Sequence, residues 1–253
     1  MAWALITGAS AGIGAELAKC CARDFDLILA ARREAPLREL ARTIEAGGRK
    51  AKVVVCDLGA PGGAAELYRA CENEDVEVLV NNAGYGLAGR FAELPMDGQT
   101  GEVDLNIRAL TELSRLFVPQ MIARKRGRIL NVASTAAFQP GPFMTVYCAT
   151  KAYVLSFSLA LQEELRGTGV TVTALCPGAT STEFAAVSGA STNLFAQGRI
   201  MSAQAVAEIG YRAMQRGRGM VVTGLRNRLM TFSTRFAPRG LTARIAAGIL
   251  RPK

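Results

Sequence analysis

Short apolar runs alternate with longer helical stretches along most of the chain, and that alternation limits the fold more than any other feature. Residues 3–6, 26–31, 52–56, 77–80, 128–132, 170–175 and 220–223 read as strands. Helical spacing predicts helices over about 13–23, 36–46, 61–71, 99–124, 145–166 and 202–215. The strands are nearly continuous apolar runs, as expected when both faces of a sheet are covered. Strands alternating with helices at this spacing imply a parallel sheet with helices on both faces and right-handed crossovers. The expected fold class is therefore α/β, a doubly wound seven-stranded parallel sheet. No internal repeat or linker interrupts it. One domain is expected over residues 1–224, with 225–253 as a basic helical tail of the same domain. Ligands of such a sheet bind at the C-terminal ends of its strands.

Composition removes several chemistries. The chain has 253 residues and no histidine, which excludes Ser-His-Asp and Cys-His catalysis, histidine-ligated zinc and histidine pH switches. Proton transfer must use Tyr, Lys, Cys or a carboxylate. The six cysteines form no CxxC pair and sit mostly in apolar runs, so buried reduced thiols are expected and no metal is. The start MAWALITGAS has no basic n-region, and no window approaches 18 unbroken apolar residues. A cytoplasmic protein without a spanning helix is expected.

Charge is unevenly placed. Lys and Arg total 30 against 21 Asp and Glu, and after Glu208 no acid remains. The last 45 residues carry nine arginines and Lys253, so the excess lies there and the body is near neutral. Residues 225–250 mix Arg with Leu, Met, Phe and Ile, and Pro238 divides them into two short helices. Packing of their apolar face against the body or a sister subunit is the first expectation. Weak peripheral contact of 225–253 with an anionic membrane surface is the second. The dense aromatic and basic interleaving of a single-strand binder is lacking, so no nucleic-acid partner is expected.

Thr7-Gly8-Ala9-Ser10-Ala11-Gly12-Ile13-Gly14 joins the first strand to the first helix. Gly8 permits a tight turn, Gly12 lets a pyrophosphate approach the backbone, and Gly14 allows close helix packing. The helix N-terminus supplies N–H donors and positive potential for the anion. Gly8, Ser10, Gly12, Ile13 and Gly14 are thus candidate cofactor contacts. At the end of the second strand, where an acid usually binds the ribose hydroxyls, the sequence reads Arg32-Arg33. Guanidinium groups pair with a 2′-phosphate that a carboxylate would repel, which favours NADP(H) over NAD(H). The alternative is a solvated charge pair at a helix start. Asp57 could accept from an adenine amino group or simply cap a turn. Asn81, Ala83 and Gly84 end the fourth strand beside the expected cofactor path.

Tyr147 and Lys151 are one helical turn apart on one face. Ser134 ends the fifth strand, and the loop 135–146 could fold Tyr147 back toward it. At this point the chain resembles the short-chain dehydrogenase/reductase family. The resemblance covers about residues 3–182 through TGASAGIG (7–14), Asp57, NNAG (81–84), Asn106, Ser134, YCATK (147–151) and PGATST (177–182). It implies a Rossmann-type fold with strand order 3-2-1-4-5-6-7 and hydride transfer to or from NAD(P). It makes Tyr147 the general acid/base, with the Lys151 ammonium lowering the phenol pKa from about 10. Lys151 would also hold the nicotinamide ribose. Ser134 would polarise the substrate carbonyl, and Asn106 would hold a water linking Lys151 to solvent. Pro177, Gly178 and Thr182 fall on the nicotinamide side, Thr182 at the carboxamide.

Phe138, Phe143, Tyr85, Phe184, Val187, Leu194 and Phe195 are candidate substrate walls, and 183–201 a candidate lid. An apolar mouth suits a hydrophobic ketone, aldehyde or acyl-type carbonyl, with the matching alcohol as the reverse substrate. The family resemblance implies a homodimer or homotetramer. The rival reading is a catalytically silent NADP-binding or membrane-surface module on the same fold.

Overall fold

The structure, a computed structural model, describes residues 1–184, 188 and 200–251. The strands are β1 (Trp3–Thr7), β2 (Asp26–Ala31), β3 (Ala51–Val55), β4 (Val76–Asn81), β5 (Gly127–Val132) and β6 (Val170–Cys176). Two further strands, β7 (Thr180–Ser181) and β8 (Met201–Ser202), form a short parallel ribbon. β9 (Met220–Val222) completes the main sheet, whose order is β3-β2-β1-β4-β5-β6-β9, parallel throughout. The expected order thus holds, with β9 as its seventh strand.

The helices are α1 (Gly12–Cys21), α2 (Glu34–Ala46), α3 (Gly63–Ala70), α4 (Met96–Val103), α5 (Leu110–Ala123), α6 (Thr145–Glu164), α7 (Ala203–Gln215), α8 (Leu225–Ser233) and α9 (Arg239–Leu250). α4 and α5 are joined by a π turn at Asp104–Ala109, a widened segment of the kind found at functional sites. Ser202 caps α7 as its position suggests, its hydroxyl accepting from the Ala205 N–H.

Strand residues alternate between two cores. Ala4, Ile6, Leu27, Leu29, Val78 and Val80 pack with Leu17, Leu37, Leu40 and Val206 of α1, α2 and α7. Leu5, Ile28, Leu79 and Ile129 pack on the other face with Leu67, Leu113, Phe117 and Met121 of α3 and α5. Both faces are dry, and the apolar runs in the sequence follow from that. All six cysteines are unpaired, five of them buried. No helix among the described residues is long and apolar enough to cross a membrane.

One polar chain crosses the sheet. Asn81 Nδ2 donates to Asn131 Oδ1 at 2.9 Å and to Ser114 Oγ at 3.3 Å. Asn131 Nδ2 in turn donates to Ser158 Oγ at 2.9 Å. β4 and β5 are thereby tied to α5 and α6. Asn131→Ala leaves a buried amide and a buried hydroxyl short of a partner. It is expected to lower stability by about 2–4 kcal/mol, read as a lower urea midpoint at unchanged slope.

Candidate active site

The strand order reverses between β1 and β4, which puts the crevice expected at such a switch point at the C-terminal strand ends. Its floor is a hydrogen-bonded clasp. The Thr7 hydroxyl donates to the Val80 carbonyl at 3.1 Å and accepts from the Asn82 and Ala83 N–H groups at 2.9 and 3.0 Å. The Asn82 amide returns to the Thr7 and Gly8 carbonyls at 2.9 and 3.2 Å. The glycine turn lies over this clasp. Gly8 has φ +65°, and a Cβ there would come within 2.9 Å of the Ala83 backbone. At Gly14 a Cβ would strike the Gly8 carbonyl and the Asn82 amide. α1 begins at Gly12 with no side-chain cap and no acid in its first turn, so its N-terminal N–H groups remain available to an anion. Ile13 packs beneath the cradle against the α1 core. These features fit a dinucleotide pyrophosphate, which would lie on Gly8, Ser10, Gly12, Ile13 and Gly14.

Arg33 stands beside this turn. Its guanidinium donates to Ser10 Oγ at 3.3 Å and pairs with Glu183 at 2.8 Å. Arg32 is exposed next to it. Asp57 spends one carboxylate oxygen on the Gly59 N–H at 2.9 Å, the local turn-capping role, and remains exposed. Thr182 crosses over Gly12, its methyl 3.1 Å from where a Cβ would stand, and its hydroxyl accepts from the Phe184 N–H. Pro177 offers its carbonyl to the Thr135 N–H at 2.8 Å, and Gly178 lies under Asn227 of α8. Asn81 is different. Strand alternation turns its side chain into the sheet interior, onto Ser114 and Asn131, while Asn82 serves the crevice.

The second half of the crevice is built on α6. Ser134 is buried at the end of β5 and caps the turn Thr135–Phe138, accepting from the Ala136 N–H at 3.1 Å. Tyr147 faces it from the first turn of α6. Burial pushes the phenol pKa above its ordinary value, and a hydrogen bond from Ser134 works the other way. The Tyr147 ring is fixed on one side by Gly86, where any Cβ would collide with it, and on the other by Phe184 at 5.2 Å between centroids. Lys151 is buried, its ammonium 5.8 Å from the Tyr147 ring centroid and donating to the Val132 carbonyl at 2.8 Å. Burial lowers its pKa to about 8. The expected fall of the phenol pKa through Lys151 therefore does not describe this arrangement. Burial dominates the phenol, and Ser134 is the group that opposes it.

Asn106 sits in the π turn and is buried. Its Nδ2 donates to the Tyr85 carbonyl and to Thr150 Oγ1, and its Oδ1 accepts from the Tyr85 N–H. The side chain is a strut between the loop after β4 and the helix that carries Tyr147 and Lys151. Gly84 is the close neighbour of this strut, its missing Cβ leaving room for Asn106 and Lys151. Ala83 joins the clasp through its N–H.

Of the candidate substrate walls, Phe184 reaches the tyrosine. Phe138 packs on the core beside Ala133 and Val154, and the Tyr85 hydroxyl is spent on the Gly98 carbonyl. Phe143 has φ +66°, a left-handed backbone that is strained for an aromatic residue. Val187, Leu194, Phe195 and most of 183–201 lie outside the described residues.

Sequence reasoning passed over one group. Glu102 on α4 is buried, with Oε1 accepting from the Leu87 N–H at 2.9 Å and Oε2 without a partner among the described residues. Burial raises its pKa to about 7, the Leu87 N–H and Lys151 acting against that. It lines a small cavity with Leu87, Phe91, Leu94, Gln99 and Val146. An acid three residues from Gln99 on a helix gives no sign of burial in the sequence.

A ketoacyl reductase of Nostoc is 33% identical over 177 residues, covering 69% of this chain and 62% of that protein. The chain thus spans less than two thirds of that relative's length. A very-long-chain 3-oxoacyl-CoA reductase of Danio rerio is 31% identical over 85% of this chain and 71% of its own. A short-chain dehydrogenase from Sphingobium yanoikuyae, solved in complex with NADPH, superposes with a TM-score of 0.85 at 30% identity, covering 95% of each chain. The family described as short chain dehydrogenase matches residues 2–193. A sheet of this order, a glycine cradle at its switch point and that match together make the chain a member of the short-chain dehydrogenase family.

Proposed function

We propose that this oxidoreductase is an NADP(H)-dependent carbonyl reductase, reversible as an alcohol dehydrogenase, acting on a hydrophobic ketone, aldehyde or acyl-type carbonyl. The observation that carries the reading is the Tyr147 ring with the buried Lys151 ammonium 5.8 Å from its centroid and the buried Ser134 at the neighbouring strand end. A nicotinamide, when bound, supplies the hydride. The rest falls to the chain. The Ser134 hydroxyl polarises the substrate oxygen and fixes its pose. Tyr147, kept neutral by burial, is in the protonation state that gives a proton to the oxygen of a carbonyl being reduced. Lys151 holds the ribose side of the cofactor, and Ser134 favours the phenolate left behind. Asn106 sets the distance between that helix and the loop after β4 through Tyr85 and Thr150. The rival, a silent module, has no use for so complete a set of proton-handling groups.

The choice of NADP(H) rests on Arg32 and Arg33. Arg33 already lies within hydrogen-bond reach of Ser10 at the phosphate turn, which supports a guanidinium site for a 2′-phosphate. The ketoacyl and 3-oxoacyl-CoA reductases among the relatives and the Phe184 wall support an apolar carbonyl substrate. We further infer a homodimer or homotetramer.

Tyr147→Phe should lower turnover roughly 10²–10⁴-fold while NADPH binding, followed by fluorescence titration, stays near wild type. Retained turnover would remove the tyrosine from the mechanism. Arg32→Ala with Arg33→Ala should weaken NADPH about 10–100-fold per guanidinium and leave NADH almost unchanged, and equal losses would refute the assignment.

Glu102 gives a pH signature. Its folded pKa lies above that of an exposed carboxylate, so the folded state binds the extra proton between about pH 4.5 and 7 and loses stability as pH rises through that window. Glu102→Gln keeps an acceptor for Leu87. It should match wild type near pH 5 and exceed it by about 2–3 kcal/mol near pH 8.5 in urea unfolding. A constant difference at both pH values would show that the carboxyl does not titrate there.

A further inference from the structure

We propose that α8 and α9 form a surface that seats this protein on an anionic lipid bilayer, with the mouth of the crevice at its border. The argument starts from an inverted helix. On α8 the residues turned inward are polar. Asn227 lies against Gly178 and donates to the Thr223 carbonyl at 2.7 Å, and Thr231 is 4% exposed. The outward stripe is apolar. Leu225, Leu229 and Phe232 follow at helical spacing and are 71%, 63% and 55% exposed, and Phe236 in the turn after the helix is 76% exposed. α9 continues the pattern, with Leu241 and Ile245 four residues apart and 49% and 57% exposed while Ala246 faces inward. A soluble helix normally buries such a stripe, so a contiguous exposed one marks a contact. The expected packing on the body is therefore not seen for Leu225, Leu229, Phe232 and Phe236, and packing on a sister subunit is the other outcome of the test below.

Charge selects the occupant. Arg228, Arg235, Arg239, Arg244 and Arg251 are exposed around the stripe, and the chain holds no carboxylate side chain after Glu208. A second copy applied through the same face would set arginine against arginine with no acid to answer it. A lipid surface carrying phosphodiester charge answers both features, taking the arginines at its headgroups and the phenylalanines below them. Arg235 lies 5.8 Å over the Phe232 ring, which presents cation and aromatic group together at one depth.

Position gives the surface a purpose. α8 rests on the turn Thr135–Phe138 that follows Ser134, Asn227 covers Gly178, and Leu250 of α9 reaches Gly141. The docking face and the crevice thus share a rim, so an apolar carbonyl compound dissolved in a bilayer would meet the site without crossing water. The docking itself needs no turnover.

Co-sedimentation of the full chain with vesicles tests this. The chain should pellet with vesicles of phosphatidylcholine and phosphatidylglycerol in equal parts, and stay in solution with phosphatidylcholine alone. Phe232→Ser with Phe236→Ser should weaken binding at least about tenfold, and each of Arg228→Gln and Arg239→Gln about fivefold. All four side chains are exposed, so melting temperatures should stay near wild type. Tyr147→Phe should pellet like wild type, which separates this surface from the proposed catalysis. No binding to the anionic vesicles, equal binding to both compositions, or variants that pellet like wild type would overturn the proposal. So would a halved solution mass of the phenylalanine variant by light scattering, with wild type absent from the pellet, since a second copy would then own the face.

Discussion

A single threonine hydroxyl holds the crevice in shape. Thr7 ends β1 with its hydroxyl donating to β4 and receiving two N–H groups from the turn after β4. One donated and two accepted bonds use the full capacity of this buried oxygen, so the ends of the two strands have little freedom. Asn82 completes the clasp by tying down the carbonyls of Thr7 and Gly8. The glycines respond to this geometry. Gly14 lacks a Cβ because the Gly8 carbonyl and the Asn82 amide occupy that place. The cradle for an anion at the start of α1 is therefore a consequence of how two strands finish.

The α6 half of the crevice depends on where charge is allowed to exist. Lys151 is buried with one carbonyl partner, so its ammonium costs more than in water. Glu102, on a neighbouring helix, favours that ammonium, and the ammonium favours the carboxylate. The same carboxylate raises the Tyr147 pKa. Proton affinity in the crevice is thus shared by three groups, with Ser134 favouring the phenolate. Asn106 and the Asn81–Asn131–Ser158 chain hold the helices on which these groups stand.

The sheet and the cradle were legible because they repeat local rules. Apolar runs bounded by turns, a glycine turn before an alanine-rich helix, and tyrosine and lysine one turn apart each carry their own evidence. What escaped was direction. Asn81 and Asn82 are adjacent, and only the register of β4 decides which one serves the crevice and which one the interior. Glu102 reads as an ordinary surface acid because burial depends on the path of the loop after β4, which supplies the Leu87 N–H. Gly86 belongs to no motif, yet its flat backbone seats the tyrosine ring. In the tail the amphipathic period was plain, but a period does not say which face turns outward. On α8 the polar side chains of Asn227 and Thr231 decide that, because they, and not Leu225 and Leu229, face the body.

The ribbon of β7 and β8 has a consequence for how such a protein can change. It joins Thr180 to Met201 and Ser181 to Ser202 by main-chain bonds, which do not depend on side-chain identity. The cost of bringing the two ends together is met at the stem, and lengthening a closed loop adds only slowly to it. The span between the stems can then be exchanged like a cassette.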